Sequence, residues 1–333
     1  MNQARATTTT VSKAARSPPY LYGWSTHMTA MNVIPVTVIG LGSMGTALAE
    51  AFVKVGHPTT VWNRTAAKAA PLIDMGARRA EAIEDAVTAS PLVITCLTTF
   101  EDTRAALRPA GAWLRGRALV TLNSGSPAGA RETAVWAIDH GARFLAGAVK
   151  NVPSAVGAPE TLLYYSGDKA VFEEFETTLK VLGGDTVHLG DEADLAALYE
   201  MAVGAMLLPA LVGFFQGAAA VQARGLEVNT MVRFAGKWLD MIKSLLPIYA
   251  KEIDGGDYTD AASSVNLFLA AAAHDEDLAR ETNVDTAWLG PLHDLVRQAV
   301  EAGYGDLSIS ALTEVLRSRP DSRKPAQLIG RSR

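Results

Sequence analysis

The residues able to do chemistry begin with three glycines. Gly40-Leu41-Gly42-Ser43-Met44-Gly45 has the spacing GxGxxG and lies between a short apolar run, Val36–Ile39, and a helix-like stretch, Gly45–Val55. In that setting the first glycine permits a tight turn, the second lets a pyrophosphate approach the backbone, and the third lets the helix pack against the strand. The helix N-terminus adds unpaired N–H groups and the positive end of its dipole. A second apolar run, Thr59–Trp62, ends in Asn63-Arg64-Thr65, with Lys68 one turn later. A dinucleotide lacking a 2′-phosphate is usually held at this point by Asp or Glu, about 20 residues beyond the glycines. No carboxylate stands there. Arg64 can stack on adenine and pair with phosphate, and Lys68 adds charge. The expected cofactor is therefore NADPH, or NADP in its oxidised form.

The other chemical group is Glu200, preceded by Tyr199 and followed by Met201–Ala223, a stretch with no charged residue. A glutamate on an apolar helix has a reason to be there if it is paired or functional. The alternative is a surface or interface side chain at a helix start, where the dipole favours negative charge. Asn123 and Ser124 follow the apolar run Ala118–Leu122 on the side expected to face a nicotinamide. Leu97, Thr98 and Thr99 end the run Leu92–Leu97 and are expected to close over the dinucleotide. The six histidines lack ligand spacing and there is one cysteine, so no metal site is expected.

The elements that must position these groups alternate. Further strands are expected at Arg143–Val149 and Leu162–Ser166, and a helix at Ala66–Met75. Strands alternating with helices imply a parallel, doubly wound α/β sheet. Strand signals stop near Gly190, and from Asp194 the pattern is helical. The expected division is a tail at 1–34, a dinucleotide-binding Rossmann domain at 35–192, an all-α domain at 193–320 and a flexible tail at 321–333. Residues 1–34 contain no Asp or Glu, a Thr7–Thr10 run and Pro18-Pro19. They read as an unstructured tail, or an upstream start with Met28 or Met31 as the working one, rather than a targeting peptide.

Met201–Ala223 is long enough to span a bilayer. It holds Pro209, Gln216 and Gln222, however, and continues from the charged segment Asp191–Glu200. A helix apolar all round is instead expected to be buried in protein, with no membrane partner. Burying every face takes more wall than one small helical domain offers, which points to dimerisation through this helix. The 333 residues, 49% hydrophobic and 20% charged, fit two globular domains, and a net charge of −5 excludes the basic face a nucleic acid would need. Cys96 alone cannot form a disulfide within the chain. It reads as a buried small hydrophobe, and the cytoplasm as the compartment.

The segment Val36–Lys68, with its glycine loop and Asn63-Arg64-Thr65, resembles the imine reductases and reductive aminases, relatives of the β-hydroxyacid dehydrogenases. The resemblance continues through Leu122–Pro127, Gly147–Gly157, Leu162–Gly167, Leu195–Glu200 and Ile253–Tyr258, and covers about 36–318. It implies a Rossmann domain joined by a long interdomain helix, roughly Asp194–Gly225, to a helical domain. It also implies a reciprocal homodimer whose two chains share each cleft. The implied reaction is hydride transfer from NADPH to a small-molecule imine, with amines, carbonyls or activated C=C bonds also within reach.

In that family Glu200 stands where an Asp, or in other members a Tyr, is common. Its implied role is to orient the iminium and deliver a proton to nitrogen. The implied substrate pocket includes Ser124, Met201, Met206 and Trp238, although Trp238 could equally be core. Lys150-Asn151 replaces small or apolar residues usual in the family. Lys150 either pairs with Glu200 or stands solvated at the rim. Leu208 occupies a place where an aromatic residue, commonly Tyr, is usual, so a phenolic donor is missing. A β-hydroxyacid dehydrogenase would need a lysine and, one turn later, an asparagine early in the long helix. Asp194–Gly204 contains neither.

Overall fold

The computed structural model describes residues 33–317. The expected tails, but for Val33 and Ile34, lie outside the described residues. The chain forms two compact units, one ending at Glu200 and the other beginning at Met201.

The first unit is built on a sheet of β1 (Val36–Ile39), β2 (Thr59–Trp62), β3 (Arg78–Arg79), β4 (Leu92–Thr95), β5 (Ala118–Thr121), β6 (Arg143–Val149), β7 (Leu162–Gly167) and β8 (Asp185–His188). Their order is β3-β2-β1-β4-β5-β6-β7-β8. Strands covered on both faces read as continuous apolar runs, which is why the central ones were legible. The two strands that composition hides, β3 and β8, are the two edges, where polar residues face water. The sheet is not wholly parallel as expected, because β6 and β7 run antiparallel, with Ala148 opposite Tyr164. A parallel return needs a crossover, usually a helix. The segment between β6 and β7 holds only a 3-10 turn, Pro153–Ala155, so the chain folds straight back.

Helices α1 (Ser43–Lys54), α2 (Ala70–Asp74), α3 (Ile83–Thr88), α4 (Phe100–Leu107), α5 (Pro127–Asp139) and α6 (Lys169–Leu179) cover the sheet. On one face Leu48 and Phe52 of α1 and Phe172 and Phe175 of α6 pack with Val38, Ile94 and Val120. On the other, Ala86 of α3, Leu107 of α4 and Ala137 of α5 pack with Ile39, Val93 and Leu119. The expected helix Ala66–Met75 is instead a 3-10 turn, Ala66–Ala69, followed by α2. Pro71 has no N–H to offer the carbonyl of Ala67.

Helix α7 (Leu195–Gly204) is fixed at its head. The backbone N–H of Ala196 donates to Ser166 Oγ of β7 at 2.9 Å. Arg131 of α5 pairs with Asp194 just ahead of it. These contacts decide where Glu200, one turn along, can point.

The second unit contains α8 (Leu207–Ala223), α9 (Asn229–Gly255), α10 (Val265–Thr282), α11 (Gly290–Glu301) and α12 (Leu312–Arg317). The single helix expected over Asp194–Gly225 is interrupted at Ala205-Met206. Met206 N–H turns back to the Val203 carbonyl at 3.2 Å, and Pro209 cannot donate to Ala205, so the α-helical ladder fails there. Polar clasps close the unit. Glu252 accepts from Ser308 Oγ at 2.7 Å and from Ser310 Oγ, and Tyr258 Oη donates to Glu314 at 2.6 Å. Its apolar surface is nevertheless open: Leu207, Phe215 and Phe234 are 65%, 58% and 68% exposed. Leu195–Ala223 has the length and composition to cross a membrane, and only 11% of its most apolar stretch is buried. The burial expected for this helix is therefore not provided by the described residues of its own chain.

Replacing Ser166 by Ala should strand the buried Ala196 N–H and lower the unfolding free energy by about 1–3 kcal/mol in urea titrations. A loss below about 0.5 kcal/mol would show that the head of α7 does not depend on this contact.

Candidate active site

The glycine loop is shaped from inside and open outside. Gly40 has φ +97, and a Cβ there would lie 2.4 Å from the Cys96 carbonyl oxygen. A Cβ on Gly45 would lie 1.9 Å from the Gly40 carbonyl oxygen, so α1 approaches β1 as closely as backbone allows. At Gly42 an added Cβ would meet nothing within 4 Å. That clearance lies at the cap of α1, whose first turn, beginning Ser43-Met44, receives no side-chain cap. Asn63 Oδ1 accepts from Leu41 N–H at 2.9 Å, and its Nδ2 donates to the Thr65 carbonyl at 3.1 Å, tying the end of β2 to the loop. Arg64 and Lys68 stand exposed beside it, and neither forms an ion pair among the described residues. An uncapped helix start, an open glycine and two unpaired cations fit a phosphorylated dinucleotide.

Leu97 is half-buried against Gly40, and Thr98 is exposed beyond β4. The Thr99 hydroxyl is engaged elsewhere: it caps α4, accepting from Asp102 N–H at 3.0 Å and donating to Asp102 Oδ2 at 2.9 Å. Burial raises the Cys96 thiol to about 11, leaving it protonated and unreactive.

Beyond β5 the buried Asn123 accepts from Thr103 Oγ1 of α4 at 3.2 Å. Next to it, Ser124 Oγ donates to Glu200 Oε1 at 2.9 Å, joining residues 76 apart in sequence. Glu200 is half-buried and lies in the second turn of α7, so a helix-start position does not explain it. Lys150, half-buried at the end of β6, forms no ion pair with Glu200; the carboxylate takes its hydrogen bond from serine instead. Asn151 is held in its own loop, donating to Thr161 Oγ1 at 3.0 Å and accepting from Val152 N–H at 2.9 Å. Met201, Met206, Leu208 and Trp238 belong to the second unit, where each is more than half exposed.

Sequence reading missed Tyr164. Its ring meets that of Tyr199 edge-on, with centroids 6.4 Å apart. Burial, and then the negative charge of Glu200, push its phenol up to about 12. Two tyrosines in an apolar strand do not reveal which of them shares a face with a residue 36 positions away.

Residues 35–190 match the NAD binding domain of 6-phosphogluconate dehydrogenase, and residues 192–318 match the NADPH-dependent reductive aminase-like C-terminal domain. The NADPH-dependent reductive aminase of Aspergillus oryzae is 36% identical over 287 residues, spanning 84% of this chain and 96% of the relative. The chain belongs to the imine reductase and reductive aminase family. Solved structures in this family include a reductive aminase from Aspergillus terreus in complex with NADPH4, cyclohexanone and allyl amine. It is 35% identical with a TM-score of 0.80, covering 86% of this chain and all 100% of that one. An imine reductase from Myxococcus stipitatus in complex with NADP+ is 33% identical with a TM-score of 0.79, covering 85% of this chain and 100% of its own.

The glycine loop of this imine reductase relative yields a paired prediction. Gly42 has φ −75, which alanine adopts freely, so Gly42→Ala should leave thermal unfolding unchanged and weaken NADPH binding in fluorescence titrations. Gly45→Ala should destabilise the protein itself by about 1–3 kcal/mol, because a Cβ there collides with backbone. Equal effects of both on folding would refute the distinction.

Proposed function

We propose that this chain is an NADPH-dependent oxidoreductase that reduces small-molecule imines to amines, with Glu200 as the group that holds the cationic C=N. The observation that carries the reading is the Ser124–Glu200 hydrogen bond at 2.9 Å, which aims a carboxylate from α7 at the end of β5. An ionised carboxylate can orient an iminium and raise its local population beside a hydride donor. When bound, NADPH supplies the hydride that reduces the imine carbon. An iminium brings its own proton. A neutral imine needs one, and Glu200 in its acid form can give it to nitrogen.

Gly40, Leu41, Gly42, Ser43, Met44 and Gly45 are assigned to the pyrophosphate, and Arg64 and Lys68 to the 2′-phosphate. Leu97, Thr98 and Asn123 are assigned to the nicotinamide side. The substrate class extends to carbonyl–amine pairs, in keeping with the cyclohexanone and allyl amine bound by the Aspergillus terreus relative. With Leu208 offering no phenolic donor, preformed imines should be the better substrates.

The assembly proposed is a homodimer. Helix α8 carries no charged residue and buries only Ala220, and α9 has no buried residue at all. A second copy presenting the same apolar faces would cover both. The division into a dinucleotide-binding part at 35–192 and a helical part at 193–320 belongs to the same reading, as does a cytoplasmic setting for a chain with one cysteine.

Glu200→Gln should lower kcat on a cyclic imine about a hundredfold while NADPH affinity stays within about twofold. Unchanged turnover would remove Glu200 from the chemistry, and turnover of a 3-hydroxy acid with NADP but of no imine would overturn the assignment. Sedimentation equilibrium should give twice 35.2 kDa, and Phe215→Asp should shift the population toward that single mass. A wild-type monomer would contradict the dimer.

A further inference from the structure

The hydroxyl of Tyr164 is buried and has no hydrogen-bond partner among the described residues. A buried phenol without a partner costs free energy and calls for an explanation, and Tyr164, unlike the fully buried Tyr165, lies beside an acidic group. The geometry around it names the partner. Ser166 and Tyr164 are two apart on β7 and so share one face of the sheet. Ala196 and Glu200 are four apart on α7 and so share one face of the helix. The hydrogen bond from Ala196 N–H to Ser166 Oγ at 2.9 Å clamps those two faces together at one end. The Tyr164–Tyr199 ring contact, 6.4 Å between centroids, joins them at the other. Opposite Tyr164 on β6 stands Ala148, which leaves the phenol room.

Resting on the reading of Glu200 given above, we propose that Tyr164 is a positioning residue. Its phenol is the second hydrogen-bond donor to the Glu200 carboxylate, engaged when a cationic substrate draws that carboxylate away from Ser124. An ionised carboxylate offers about four acceptor positions, and Ser124 uses one. With one hydroxyl on each side, the carboxylate keeps a donor at both ends of its movement. The other titratable groups on these elements are Tyr199 on α7, Asp194 just ahead of it and tied to Arg131, Lys150 just past β6, Arg143 at the start of β6 and paired with Glu174, and Tyr165 next along β7.

The test is Tyr164→Phe in the full-length protein, assayed on a cyclic imine over a pH series, alone and combined with Glu200→Gln. Loss of an orphan hydroxyl should leave thermal unfolding and NADPH affinity unchanged. Turnover should fall about tenfold, the rate equivalent of one hydrogen bond to a charged group. Because the phenol engages the carboxylate only with substrate bound, the loss should fall on kcat at every pH of the series, with KM changed less than about twofold. In the Glu200→Gln background the same substitution should change nothing further. A Tyr164→Phe enzyme with wild-type turnover, while Glu200→Gln is impaired, would overturn the role of Tyr164 alone. An unimpaired Glu200→Gln enzyme would overturn it together with the reading it rests on.

Discussion

Glu200 stands on an otherwise apolar helix, and the hydrogen bond it accepts from Ser124 fixes where its carboxylate points. Three contacts outside the pair hold that interaction in place. Ser166 fixes the head of α7 through Ala196 N–H, Arg131 fixes Asp194 just before it, and Thr103 fixes Asn123 next to the serine. β5, β7, α4, α5 and α7 all contribute, so the position of one carboxylate is a property of the whole α/β unit. None of the supporting groups touches a reacting atom. Each narrows the range of positions open to Glu200, and orientation of this kind accounts for a large share of catalytic effect.

The glycine loop is built by a different means. There the backbone makes the shape, through one left-handed turn, one close contact and one open glycine, and the side chains of Arg64 and Lys68 stand exposed beside it. The carboxylate end depends on side chains brought from far apart in sequence. The second unit adds the apolar faces of α8 and α9. Leu207 and Phe215 of α8 and Phe234 of α9 stand exposed there, and apolar patches of this kind mark interaction surfaces.

The central strands, the glycine loop and the absence of an acidic residue after β2 were legible because each is local: apolar runs, spacing and residue type suffice. The edges β3 and β8 were not, since a strand with one edge in water carries no apolar signature. Antiparallel pairing of β6 and β7 depends on what the connecting loop lacks, which a strand-by-strand reading passes over. Pro209 was visible in the sequence, but its effect on α7 and α8 follows from the carbonyl it leaves without a donor. Glu200 stood out by contrast with its apolar neighbours. Its partner Ser124 and the nearby Tyr164 emerged only with tertiary structure. Lys150, the cation that sequence placed as a possible partner, pairs with no carboxylate among the described residues.

The claim that Glu200 acts chiefly as an anion holding a cation can be separated from proton delivery by using a cyclic N-methyl iminium salt, whose charge is permanent and which needs no proton. Wild type should reduce this ion readily, and Glu200→Gln should be slow on it. Equal rates for the two proteins on the fixed cation would contradict the account.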